Sequence, residues 1–179
     1  NEQPYLEREN RISFLQLFLG KKLLSIHQKG NVYDCVQEFF QCSETNNLVE
    51  YSFEKILVFP DSRKQKKIIP DSILSKIATF CNSKQIELQI ACFGTAISPS
   101  SNVIYYNDFI TLIDLVKKAK FIISSDSVTA HLAQYFNKLH FIIYPDKVNE
   151  EWLTPWASLM GMYTTFDQSH ILFSKIDKI

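Results

Sequence analysis

The sequence has 179 residues, of which 46% are hydrophobic and 21% are charged, as in an ordinary globular domain. Its 19 basic and 19 acidic side chains cancel, which disfavours a nucleic-acid-binding protein because that class usually carries a basic excess. No apolar run approaches the roughly 20 residues of a membrane span, and the 4 cysteines form no CxxC pair, which indicates reduced thiols in a cytoplasm.

The first 50 residues are the hardest part of the chain to assign. Residues 31–42 (NVYDCVQEFFQC) have apolar side chains at helical spacing and are predicted to be a helix. Residues 11–19 (RISFLQLFL) are apolar with weak periodicity, so helix and strand remain open there. Residues 43–48 have the composition of a turn or a linker.

From residue 55 onward, short apolar runs alternate with amphipathic segments. This alternation predicts a parallel sheet of five strands with helices on both faces, a Rossmann-like α/β fold. Asp108 is the predicted N-cap of the second helix, and the aromatic tail after residue 144 is expected to fold back over the sheet with short helices. The predicted strands are 55–59, 86–93, 103–106, 121–124 and 139–144, and the predicted helices are 71–82, 108–120 and 127–136.

Two unusual loops follow the first and the fourth predicted strand. Open parallel sheets bind ligands at the carboxyl ends of their strands, and these two strands are often neighbours in such sheets. The first loop (DSRKQKK, 61–67) places four cations within five residues, and the second (SSDSVTAH, 124–131) opens a helix. Because the unpaired N–H groups and the dipole of a helix N-terminus attract anions, the two loops together predict a phosphate or diphosphate site.

The side chains around the second loop suggest a division of roles. Ser127 and Thr129 would add hydroxyl donors for the phosphate, whereas Asp126 would repel a phosphate and suits the hydroxyl groups of a sugar. Other interpretations stay open at this stage. Ser127 or Asp126 could serve only as an N-cap, the cationic loop could be simply solvated, and His131 could be a half-buried histidine that holds the turn.

Other catalytic patterns are missing from the sequence. The 4 glycines form neither a P-loop nor a GxGxxG fingerprint, and no GxSxG elbow occurs. The other histidines (His27, His140 and His170) have no metal-ligand spacing, so no metal site is expected, and His140 within a strand is interpreted as structural. Glu150 and Glu151 have the pattern of a solvated loop.

Two segments resemble the carboxyl-terminal, donor-binding half of the lipopolysaccharide heptosyltransferases, ADP-heptose-type glycosyltransferases of the two-domain GT-B architecture. ILVFPDSRKQKKIIP (56–70) is similar to their strand and loop with a lysine, here Lys67, three residues before a proline, here Pro70. Residues 112–145 are similar to their segment with the motif Asp-Ser/Thr-Gly-x-x-His-Leu-Ala, which corresponds to residues 126–133. Val128 stands where the family has glycine, and the resemblance covers roughly residues 55–157.

The resemblance implies a glycosyltransferase domain that binds a nucleotide-diphosphate sugar, such as ADP-heptose, for transfer to a lipopolysaccharide or other glycan or lipid-linked acceptor. It implies no metal and no other cofactor, and a cytoplasmic location at the inner face of the membrane. The loop 94–102 lacks the acidic residue that many members use near the ribose, so the nucleotide stays open. The implied site comprises Lys67 as the catalytic residue, His131 as a structural residue, and the donor-binding residues Ser62, Asp126, Ser127, Val128 and Thr129.

The domain organisation follows from the same resemblance. Residues 51–179 are expected to form the nucleotide-sugar-binding domain, and residues 1–50 a remnant of an amino-terminal domain or an interdomain segment. Because the chain begins with Asn1 and 50 residues cannot form the acceptor domain, we expect a half-enzyme that is inactive without that domain. The alternatives are a non-catalytic nucleotide-sugar-binding or interaction module whose degraded site is marked by Val128, and a relative of nucleotide-sugar epimerases.

Overall fold

A computed structural model of the chain describes residues 54–94 and 102–178, where strands and helices alternate. The predicted helix over 31–42, the undecided segment 11–19 and residues 95–101 of the predicted loop lie outside these residues. The strands are β1 (Lys55–Phe59), β2 (Glu87–Phe93), β3 (Val103–Tyr106), β4 (Phe121–Ser125), β5 (Leu139–Tyr144) and β6 (Tyr163–Thr165). The helices are α1 (Asp71–Lys84), α2 (Phe109–Lys118), α3 (Val128–Tyr135), α4 (Pro155–Met160) and α5 (His170–Ile176), with 3-10 turns at Gln65–Lys67 and Glu150–Trp152.

The described strands form one parallel sheet of six strands in the order β3-β2-β1-β4-β5-β6. In its centre, β1 pairs with β4 so that Ile56 lies opposite Phe121 and Phe59 opposite Ser124. Every residue of β4 and β5 is buried, which is why these strands are apolar along almost their whole length instead of alternating. The predicted Rossmann-like α/β class is therefore confirmed.

Helices cover both faces of this sheet, because successive side chains along a strand point to opposite faces. Ile56 and Val58 of β1 belong to a core that also contains buried residues of α1 and α5. Leu57 and Phe59 belong to a second core, which contains Leu112 and Val116 of α2. Each face of β1 therefore has its own hydrophobic core. Polar groups that could bind a ligand are available where the strand ends.

The two helices that follow β3 and β4 begin in different ways. Asp108 is the N-cap of α2, as predicted, and its carboxylate accepts hydrogen bonds from the Thr111 backbone N–H at 2.8 Å and from the Thr111 hydroxyl at 2.7 Å. Ser127 occupies the N-cap position of α3 with an extended backbone, yet its hydroxyl makes no capping hydrogen bond. Ser127 is therefore the N-cap of α3 by position, without the side-chain hydrogen bond that usually stabilises a cap.

The prediction of five strands is also wrong, because β6 extends the sheet beyond β5. Gly161 ends α4 in the left-handed conformation with φ of 61°, and the chain returns so that Ile142 N–H donates to the Met162 carbonyl at 3.1 Å. β6 has three residues, which is too short to show a strand period in the sequence. The expected short helices in the tail are present as α4 and α5.

A buried histidine ties β5 to the start of α4. His140 is 0% exposed, its Nδ1 lies 2.8 Å from the Lys138 carbonyl and its Nε2 lies 2.6 Å from the Thr154 hydroxyl. Because a carbonyl only accepts, Nδ1 carries the proton and Nε2 accepts from Thr154. Burial lowers the pKa of His140 to about 4, against the opposing effect of the Lys138 hydrogen bond, so this histidine is neutral and structural.

Candidate functional site

The candidate site lies where the direction of strand order reverses in the sheet. From β1 the chain continues to β2 and β3 on one side, and from β4 to β5 and β6 on the other. The neighbours β1 and β4 therefore flank the topological switch point, where open α/β sheets bind ligands at the carboxyl ends of the strands. The expectation that the two unusual loops follow neighbouring strands is confirmed.

Hydrogen bonds hold the loop after β1 against the strands on either side of it. The Ser125 hydroxyl, at the end of β4, donates to the Asp61 carbonyl at 3.0 Å. The Asp61 carboxylate accepts from the backbone N–H of Phe93, at the end of β2, at 2.6 Å. The loop is closed by a backbone hydrogen bond of 3.0 Å from Ile69 N–H to the Pro60 carbonyl, with the Ile69 side chain buried.

One of the four cations in this loop, Lys67, is partly shielded from solvent. Arg63, Lys64 and Lys66 are exposed, whereas Lys67, at the end of the 3-10 turn, is half-buried. The Lys67 ammonium donates to Oδ2 of Asp126 in an ion pair in which the two side chains are 20% and 8% exposed. Residues from the two predicted loops are thus in direct contact across the switch point, although 59 positions separate them in sequence.

Asp126 directly precedes the first turn of α3. Ser127 has φ of −147° and ψ of 177°, and α3 runs from Val128 for eight residues. Thr129 is 2% exposed, so its hydroxyl lies inside the fold at this turn. The backbone N–H groups at the start of α3 and the Lys67 ammonium therefore bring positive charge to the same end of the sheet.

Val128 does not require the backbone conformation for which glycine is needed. Among the described non-glycine residues, only Gln85 and Asn137 have a positive φ. Val128 has an ordinary helical backbone, and its side chain is 48% exposed. A valine at this position is therefore compatible with the same turn, and the residue is about half exposed.

Two hydroxyls near the switch point are buried without a partner. Ser124 Oγ and Ser127 Oγ make no hydrogen bond to any described part of the chain. A buried hydroxyl without a hydrogen bond costs about 1–3 kcal/mol. Since Ser127 lies at the start of α3, its hydroxyl has unused hydrogen-bonding capacity where an anion would bind.

His131 lies one turn into α3 and packs against an aromatic ring from the tail. Its ring centroid is 5.7 Å from that of Trp152, with an interplanar angle of 70°. Burial lowers the pKa of His131, the Asp126 carboxylate raises it, and the Lys67 ammonium lowers it. The net effect is a lowered pKa, which favours the neutral form of the His131 ring.

The remaining predicted residue and two unpredicted ones complete the site. Ser62 lies half-buried in the loop after β1, between Asp61 and the exposed cations. Sequence reasoning missed Asp61, although its position just after a strand was a usable signal. It also missed Trp152, whose contact with His131 joins parts of the chain that no local pattern relates.

The described residues contain neither a metal-binding cluster nor a membrane-spanning helix. Among residues 54–94 and 102–178, no group of three or more His, Cys, Asp or Glu side chains is arranged to hold a metal ion. Within those residues, no helix has both the length and the apolar character needed to cross a membrane.

Solved structures match this chain, whereas family models and curated proteins do not. No protein-family model matches the sequence, and neither does any curated protein. The solved structure of E. coli ADP-heptose LPS heptosyltransferase II matches with a TM-score of 0.52 and 13% identity, over 88% of this chain and 52% of that one. E. coli heptosyltransferase WaaC, solved with ADP, matches with a TM-score of 0.51 and 13% identity, over 84% of this chain and 50% of that one.

The described domain has a glycosyltransferase-like fold. Its six-stranded parallel sheet flanked by helices matches heptosyltransferases of the GT-B architecture, in agreement with the resemblance of the two sequence segments. The chain spans about half the length of the solved structures that it matches. At 13% identity the match establishes this glycosyltransferase-like fold alone.

Proposed function

We propose that residues 51–179 form the donor-binding domain of a glycosyltransferase and hold a nucleotide-diphosphate sugar at the β1–β4 switch point. ADP-heptose is the donor that the resembled family suggests, and a lipopolysaccharide or another glycan is the acceptor. Residues 1–50 would belong to an amino-terminal domain or to the connection with it, and that domain would supply the acceptor site. The reaction would take place in the cytoplasm, at the inner face of the membrane, without a metal cofactor.

The ion pair between Lys67 and Asp126 is the observation that carries this proposal. An ion pair shielded from water is costly to build unless its geometry is good, so it is weak evidence for stability alone. This ion pair lies at the switch point, the edge of the sheet where ligands bind in folds of this kind. The N-terminus of α3 and the unpartnered hydroxyl of Ser127 are next to it. This combination favours a binding site over a solvated loop.

The charges suit the departure of a nucleoside diphosphate. As the bond to the sugar breaks, negative charge develops on the diphosphate. The Lys67 ammonium and the first N–H groups of α3 would stabilise that charge without rearrangement. The Ser127 and Thr129 hydroxyls would bind diphosphate oxygens. Ser62 and Val128 would contact the donor beside them.

Asp126 would have a different task, because a carboxylate repels a diphosphate. With one oxygen paired to Lys67, its other oxygen could accept hydrogen bonds from sugar hydroxyls, and the pair would hold the ammonium in place until the donor arrives. His131, neutral and packed on Trp152, would support the turn rather than transfer a proton.

Calorimetric titration of the whole chain tests this function. We expect ADP, UDP or GDP to bind, and the matching nucleotide sugar to bind more tightly. Lys67→Ala should weaken nucleoside diphosphate binding by about ten- to a hundredfold, the range of a lost charge-assisted contact. Lys66→Ala is the matched control, because Lys66 lies on the same 3-10 turn and is exposed.

Two results would contradict parts of the proposal. If none of the three nucleoside diphosphates binds at millimolar concentration, the donor site is wrong and the interaction-module alternative is favoured. If the chain alone transfers heptose from ADP-heptose at a sustained rate, it is a complete enzyme and not a donor-binding half.

A further inference from the structure

We propose that Trp152 forms one wall of the donor-sugar subsite and stacks on the apolar face of the sugar ring. This inference rests on the proposed function, because it extends the same site from the diphosphate toward the sugar. It assigns a specificity role to the tail of the domain, beyond the residues that the two loops provide.

The position of Trp152 supports this role. Its 3-10 turn, Glu150–Trp152, follows β5, the strand next to β4, and the Trp152 backbone N–H donates to the Asn149 carbonyl at 3.1 Å. The indole ring contacts His131 at a centroid distance of 5.7 Å. His131 lies five residues after Asp126, near the start of α3, and the Asp126 and Lys67 charges act on its pKa in opposite directions. Trp152 therefore packs on a residue near the same end of α3 as the ion pair.

The exposure of Trp152 sets it apart from the other tryptophan of the chain. Trp152 is 36% exposed, and the next residue, Leu153, is 5% exposed. Trp156 is half-buried and packs on His140 at 5.0 Å. An indole that is held on one side by His131 and open on another presents a large, rigid apolar surface at the edge of the site.

A sugar ring has the chemistry to contact both the exposed indole of Trp152 and the carboxylate of Asp126. A sugar ring carries C–H groups on a face and hydroxyls around its rim. A site that combines an aromatic surface with a few well-placed polar groups can bind the C–H face and the hydroxyl rim at the same time. Trp152 would contact the C–H face, and the Asp126 carboxylate would accept from rim hydroxyls. A nucleoside diphosphate without a sugar would reach Lys67 and α3 but not Trp152.

The test compares the affinity of a nucleotide sugar with that of the same nucleoside diphosphate by calorimetry. Trp152→Ala should weaken nucleotide-sugar binding by roughly five- to tenfold, the scale of one aromatic stacking contact, and leave the nucleoside diphosphate within about twofold of wild type. Trp152→Phe should recover most of the loss, because the phenyl ring keeps a stacking surface. Tyr135→Ala is the matched control, since it removes an aromatic ring that is 77% exposed at the other end of α3.

Fluorescence provides a second measurement on a variant that keeps Trp152. The chain contains 2 tryptophans, so Trp156→Phe leaves Trp152 as its sole indole. Its emission should change when the nucleotide sugar is added and change little with the nucleoside diphosphate. Thermal unfolding of each variant shows whether the protein being titrated is folded.

The outcomes separate this inference from the proposed function. If nucleoside diphosphates bind and Trp152→Ala weakens both ligands equally or neither, Trp152 only covers His131 and the inference is wrong while the donor site stands. If wild-type protein binds neither ligand, the proposed function fails and the inference fails with it. Loss of sugar discrimination in Trp152→Ala with recovery in Trp152→Phe supports the inference.

Discussion

At the scale of single residues, the pairing of Lys67 with Asp126 changes what a substitution at either position means. Both side chains are largely shielded from water, at 20% and 8% exposure, so each compensates the charge of the other. A variant that lacks one of them will lose ligand binding and also leave a shielded charge without its partner. Binding and stability must therefore be measured separately.

Lys67→Met should lower the free energy of unfolding by roughly 2 to 3 kcal/mol, because it leaves the Asp126 carboxylate without its counter-charge. The double variant Lys67→Met with Asp126→Leu should return to within about 1 kcal/mol of wild type and bind no nucleoside diphosphate. Urea unfolding measures both, with Lys66→Met as the exposed control. Recovery of binding in the double variant would show that the pair is not the ligand contact.

His140 should make stability depend on pH. Its pKa is about 4 in the folded chain and about 6.5 when unfolded, so the unfolded state binds the proton more tightly. The contribution of His140 to the free energy of unfolding is present above about pH 6.5. It is lost as the pH falls from 6.5 toward 4, and the total loss is about 3 kcal/mol.

The measurement is the free energy of unfolding of wild type and His140→Gln from pH 7.5 to 4. The variant should be less stable at pH 7.5 and should fall less steeply toward pH 4, since the carboxylates titrate equally in both proteins. His170→Gln, at an exposed position, should follow the wild-type curve. Parallel curves for wild type and His140→Gln would contradict the buried neutral histidine.

At the scale of elements, the two described non-glycine residues with a positive φ both lie at the ends of helices. α1 ends at Gln85, an exposed residue with φ of 58° and ψ of 32°. After α3, Asn137 is also exposed and has φ of 51°. Left-handed backbone is unfavourable for most residues and is tolerated best by glycine and asparagine.

Gln85→Gly should therefore raise the free energy of unfolding by about 0.5 to 1 kcal/mol, because glycine adopts the left-handed cap of α1 without steric cost. Asn137→Gly is the comparison, and it should give a smaller gain because asparagine already tolerates this backbone. Thermal and urea unfolding of both variants would decide. A destabilised Gln85→Gly would mean that the side chain contributes more than its backbone costs.

At the scale of the whole molecule, the strand order decides where the chemistry is. In the sheet order β3-β2-β1-β4-β5-β6, β1 and β4 are neighbours in the centre. The loops that follow them approach each other only because of this pairing. The two hydrophobic cores that hold β1 on either face make the switch point a rigid base for ligand binding.

A ligand that binds this base should stabilise the entire domain. At a concentration of 100 times its Kd, a nucleoside diphosphate should raise the free energy of unfolding by about 2.7 kcal/mol. The effect should persist in EDTA, because the Lys67 ammonium and the α3 N-terminus supply the positive charge. Thermal unfolding with ADP, with and without EDTA, measures it, and loss of the shift in EDTA would show that a cation is part of the site.

Local patterns in the sequence determined most of the described elements, because a buried strand or an amphipathic helix shows its burial in its own residues. KILVF, VIYY and LHFIIY are strands over the predicted residues, and Asp108 caps α2. The resemblance of the two loops to a known family likewise predicted Lys67 and Asp126 as site residues.

Only the tertiary structure decided how these parts meet. The pairing of β1 with β4, the ion pair across 59 positions and the contact of His131 with Trp152 all depend on distant segments. β6 escaped prediction because three residues carry no period. Whether a valine fits at position 128 depended on the backbone conformation there. The sequence shows that valine replaces glycine, but it does not show whether the turn requires glycine. The sequence by itself thus determined most of the elements and the class of fold, and the long-range pairing of strands determined the site.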